Sequence, residues 1–162
     1  MSVKFKNDRT DAEIATTSLL VQRTHSSEAE FDALMQALRH PHVAFGAAAD
    51  ADLIARCAME DWDASAGAMK EVLKHQRLSP SDALAMLHLT GEFLRRHRIR
   101  LEGTPWLCTF QTDEGSWARY DVHTSLDYED ANTWDKRLDD VLRSHRLDRD
   151  SFYLRLTDGG PC

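Results

Sequence analysis

The chain has 162 residues and a net charge of -7, a length that suits one domain with a sizeable core. Apolar residues make up 42% and charged residues 29%, which excludes a disordered composition. The acidic balance argues against non-specific binding to nucleic acid or to an anionic membrane, because both require a positive surface.

Cys57, Cys108 and Cys162 are odd in number and widely spaced. With no C-x-x-C pair, neither a disulfide framework nor a zinc knuckle is expected. Reduced cysteines suit a cytoplasmic protein. The polar start, Met1 to Arg9, leads into no signal-peptide core. The longest apolar run, Val43 to Ala49, is too short to span a bilayer. The expectation is one soluble, cytoplasmic domain over 1–162, with residues 1–10 and 158–162 as frayed tails.

Between Asp11 and Thr24 the pattern fits a helix over Ala12–Arg23 or a strand over Ser18–Thr24. Ser27-Glu28-Ala29-Glu30 reads as a capping box, followed by Phe31, Leu34, Met35 and Leu38 at helical spacing. Pro41 ends that helix, and His42–Phe45 reads as a short strand. Asp50 or Asp52 caps the next helix, with Leu53, Ile54 and Cys57 inward. Trp62 falls in a break between Asp61 and Asp63. A helix over Ala64–His75 follows, with Met69, Val72 and Leu73 as its stripe and Gly67 as its weak point.

Ser79-Pro80-Ser81-Asp82 is the clearest helix start: serine at the cap, proline in the first turn and an acid three residues on. The helix runs to His97 on an inner face of Ala83, Met86, Leu87, Thr90 and Leu94. Its end, Arg95-Arg96-His97-Arg98, complements the helix dipole. Ile99–Leu101 reads as a short strand and Glu102-Gly103-Thr104-Pro105 as a turn. Trp106–Gln111 and Trp117–Thr124 then flank Thr112-Asp113-Glu114-Gly115-Ser116 as a hairpin. A last helix begins near Asp130–Asn132, with Trp134, Leu138, Val141 and Leu142 on one face. The alternation of Phe152, Leu154 and Leu156 makes Ser151–Thr157 a closing strand. The fold class expected is α+β: N-terminal helices, then a β-β-α-β unit with one antiparallel sheet covered by helices.

No catalytic motif, metal signature or nucleotide loop stands out, and no cofactor is expected. His40 and His42 could share a metal, but no third ligand stands at a recognisable spacing. Asp121 and His123 share a strand face, and Cys108 lies across the hairpin. A small hydrolase using Cys108 and His123 is therefore one reading, although no oxyanion-hole loop surrounds the cysteine. Trp62, Trp106, Trp117 and Trp134 suit a core or a hot spot; Trp62, among acids, is the best candidate for an exposed anchor, and Trp106 and Trp117 could pair across the hairpin. An adaptor or chaperone-like subunit with an apolar patch around Trp62 is another reading.

The strongest signal is acidic. Asp113, Glu114, Asp127, Glu129, Asp130, Asp135 and Asp139 crowd the β-β-α-β half. Asp135 and Asp139 lie four apart on one helix, where like charges repel. With Trp62 they form the candidate partner-binding set. The function expected is a non-enzymatic interaction module that docks on a basic partner. A stoichiometric inhibitor, such as a bacterial immunity protein against a nuclease toxin, fits that chemistry, with no direct contact to nucleic acid or membrane.

Overall fold

A computed structural model describes residues 27–46, 62–76, 78–103, 105–147 and 152–158. The expectations for 11–24, for Asp50 or Asp52 with Leu53, Ile54 and Cys57, for the N-terminal tail and for Cys162 lie outside the described residues. Helix α1 covers 27–39 and buries Phe31, Leu34, Met35 and Leu38. The next segment is helix α2, Pro41–Phe45, and not a strand. The ring of Pro41 fixes a φ suited to a first helical turn, so this proline opens one helix after ending another. Four residues of apolar pattern are too few to separate the two conformations.

Helix α3 is Trp62–Gln76, with Met69, Val72 and Leu73 buried. Trp62 is thus the first residue of a helix and not part of a break. Helix α4 is Pro80–His97. Its cap forms as the sequence predicts: the Ser79 hydroxyl accepts the Asp82 amide at 3.0 Å. Ala83, Met86, Leu87, Thr90 and Leu94 are buried. Gly91 is required by packing, because a Cβ there would lie 2.6 Å from the Ala44 carbonyl oxygen and 2.9 Å from Phe45 Cα. Its absence lets α2 sit directly on α4. Arg95 then donates to the Phe45 carbonyl at 2.9 Å, closing the end of α2. One arginine of the basic cluster therefore serves a neighbouring helix.

Strand β1, Trp106–Thr112, pairs antiparallel with β2, Gly115–Thr124, through a two-residue turn of Asp113 and Glu114. Leu101 extends this pairing by a single bridge to Thr124. Helix α5, Tyr128–Ser144, starts a few residues before the predicted position, because Asp127 serves as the cap and accepts the Asp130 amide at 2.9 Å. Strand β3 is Phe152–Asp158, so Asp158 belongs to the sheet and not to a tail.

The architecture is α+β, with a three-stranded open sheet in the order β1-β2-β3. One detail is corrected: the sheet is mixed, because β3 runs parallel to β2 from Ala118↔Phe152 to Thr124↔Asp158. Helix α5 returns the chain to the starting end of β2, and a strand that follows such a crossover lies parallel to the one before it. Every strand residue of the core cluster lies on one face: Leu107, Ala118, Tyr120, Val122, Phe152, Leu154 and Leu156. Tyr120 is fully buried there, and its hydroxyl donates to the Leu38 carbonyl at 2.8 Å, tying the central strand to α1. No helix among the described residues is long and apolar enough to cross a membrane.

Candidate functional site

The other face of the sheet contributes nothing to the core cluster. Alternation along the strands places Trp106, Cys108, Phe110, Trp117, Arg119, Asp121, His123, Tyr153 and Arg155 on it. Phe110 and Trp117 stack at 3.7 Å, and Trp117 and Tyr153 at 5.6 Å. An aromatic row thus crosses all three strands. The predicted Trp106–Trp117 pair does not form: Trp106 is opposite Asp121, and Trp117 is opposite Phe110. Trp106 is 55% exposed at the end of β1, which makes it a large apolar group offered to solvent.

Beside the row, Arg119 grips Asp121 on the same strand. Arg119 donates to Asp121 Oδ2 at 2.9 Å; its Nε lies 2.8 Å from Oδ1 but off the line that a hydrogen bond needs. The pair is mostly buried, at 26% and 12% side-chain exposure, so the two charges neutralise one another. Cys108 donates weakly to Asp121 at 3.9 Å. Burial first, and the Asp121 carboxylate second, push the Cys108 thiol pKa up, which keeps it protonated. A thiol is a poor nucleophile.

His123 is engaged elsewhere: its Nδ1 lies 2.9 Å from the Thr157 hydroxyl. The register separates it from Cys108 by four residues along the strands, about 13 Å. Cys108 and His123 are therefore not brought into contact. A groove of about 430 Å³ does exist, lined by Phe31, Lys70, Leu73, Lys74, Leu78 and Pro80 among others, but it contains none of Cys108, Asp121 and His123. Among the described residues, no three His, Cys, Asp or Glu side chains converge as a metal site.

The acidic residues divide into groups. Asp113 and Glu114 are exposed on the hairpin turn; Asp127, Glu129 and Asp130 are exposed at the start of α5. The ten residues of β2 lie between the two groups, a span of about 30 Å. Asp139 is exposed further along α5. Asp135 behaves differently from the rest. It is half-buried and accepts the Leu156 amide at 2.7 Å, closing the outer edge of β3. Burial, with Asp139 and Asp121 adding repulsion, pushes its pKa up to about 6 against the pull of the Leu156 amide and Arg155. Trp62 stands in α3, but its side chain lies outside the described residues. The aromatic row was legible only through register, which brings Tyr153 beside Trp117 and Phe110; the Arg119–Asp121 pair needs only the alternation of one strand, which puts residues two apart on the same face.

Comparison with protein-family models, with curated proteins and with solved structures finds no match.

Proposed function

We propose that the chain is a non-enzymatic interaction module that docks on a basic protein, and that its job is stoichiometric inhibition, as an immunity protein blocks a nuclease-like toxin in a bacterial cytoplasm. The observation that carries this reading is the state of four carboxylates. Asp113, Glu114, Glu129 and Asp130 are exposed, and no ion pair among the described residues neutralises them. Unpaired surface carboxylates steer a cationic partner into encounter and reject anionic ones. The exposed Trp106 and the aromatic row supply apolar contact area, which carries affinity once the partners meet.

The hydrolase reading draws no support from the site: the thiol is held protonated, and its proposed base is a separate group engaged with Thr157. The test is affinity capture from the source cell with two baits, the wild type and a variant with Asp113, Glu114, Glu129 and Asp130 reversed to lysine. A basic protein recovered one-to-one by the wild type and lost from the variant supports the reading. Equal recovery by both baits overturns it.

A further inference from the structure

The two edges of the sheet are treated differently. The outer edge of β3 is guarded, because Asp135 occupies the Leu156 amide and α5 supplies it from alongside. Among the described residues, strand β1 lacks three of the usual guards: charge, proline and a bulge. Its seven residues, Trp-Leu-Cys-Thr-Phe-Gln-Thr, carry no charge and no proline. Its register to β2 runs without a bulge from Trp106↔Asp121 to Thr112↔Gly115. Among the described residues, no backbone hydrogen bond reaches its outer side. In an edge strand alternate amides and carbonyls point outward, and a long uncharged edge of this kind is a template for another strand.

We propose that the outer edge of β1 accepts an extended segment of the partner as a fourth strand, with an uncharged centre and Lys or Arg at its ends. This rests on the basic-partner reading above and gives it a docking mode. The charges at the ends of the edge select the occupant. Asp113 and Glu114 stand exposed at one end of β1, and Glu102 stands exposed at the other. No ion pair joins Glu102 to Arg100, two residues away. A second copy of this chain fits poorly. Antiparallel self-pairing brings Asp113 and Glu114 of one copy to Glu102 of the other, and parallel pairing sets each acid against itself. A basic-ended segment meets Asp113 and Glu114 at one end and Glu102 at the other, where the exposed Arg100 partly offsets the attraction. Main-chain hydrogen bonds supply its affinity, and alternate side chains pack along the Trp106, Cys108 and Phe110 side of the new strand.

The test uses three probes on the intact chain: a synthetic peptide of alternating Thr and Val with two lysines at each end, the same peptide with a central proline, and polylysine. The readouts are binding by titration and amide hydrogen exchange at residues 106–112. The lysine-ended peptide is expected to bind and slow exchange in β1, and the proline peptide to do neither. Gln111→Lys, on an exposed edge position, is expected to weaken the peptide by roughly tenfold, since an edge lysine opposes strand addition. Polylysine that binds while the peptide leaves β1 exchange unchanged overturns the strand mode and leaves the basic-partner reading standing. Binding of neither probe overturns both. Concentration-dependent dimerisation with β1 already protected makes a second copy the occupant and also overturns the proposal.

Discussion

The Asp135 carboxylate accepts the Leu156 amide while Asp139 stands one helical turn away and burial removes much of its water. Its pKa rises from 3.8 to about 6, so the folded state holds this proton more tightly than the unfolded chain does. Protonation therefore favours folding below about pH 4, and that contribution is lost as pH rises from about 4 to about 6. Asp135→Asn keeps an oxygen for the Leu156 amide and removes the charge. The expected result is a variant as stable as the wild type below pH 4 and more stable above pH 6; equal melting curves at pH 7 would show that the carboxylate is well solvated. Tyr120 makes a second separable contribution. Tyr120→Phe leaves the Leu38 carbonyl buried without this donor and is expected to cost about 1 kcal/mol in urea unfolding. Neither contact was legible in the sequence, since each joins residues that only the fold brings together. What was legible at this scale is local: the Ser79 cap needs only Asp82, three residues away.

The same distinction between local and distant partners governs the elements. Helix α4 was readable from end to end because its start signal, its stripe and its basic last turn all lie within its own eighteen residues and the Ser79 cap just before them. Strand direction was not readable for β3. Its alternation of Phe152, Leu154 and Leu156 is the same whether it pairs parallel or antiparallel, and the intervening α5 decides the matter. Two substitutions test the helices. A Cβ at Gly67 in α3 would meet nothing within 4 Å, so Gly67→Ala is expected to stabilise by about 0.5–1 kcal/mol. Leu138 of α5 is fully buried against the sheet's core face, and Leu138→Ala is expected to cost about 2–5 kcal/mol. A thermal unfolding midpoint that does not fall for the Leu138 variant would mean that α5 does not close the core.

Across the whole molecule, a net charge of -7 takes its functional meaning from where the unpaired carboxylates sit. Composition shows that acids are in excess, but not that β2 holds Asp113 and Glu114 at one end and Glu129 and Asp130 at the other. That spacing exceeds the screening distance of about 8 Å at physiological salt, so the two pairs act on an approaching cation as independent sites. The prediction concerns association with the basic protein recovered by affinity capture, measured by stopped-flow fluorescence at several salt concentrations. Reversing Asp113 and Glu114 to lysine, or Glu129 and Asp130 to lysine, should each slow association and reduce its salt dependence, because exposed charges set encounter rate more than final affinity. If both pairs face the partner, the logarithms of the two effects should add, as for distant independent sites. If the partner docks at the β1 edge alone, the Asp113/Glu114 reversal should dominate and the Glu129/Asp130 reversal should have little effect. Rates unchanged by either reversal, with their salt slope intact, would show that these carboxylates are ordinary solvated surface and remove the physical basis for a basic partner.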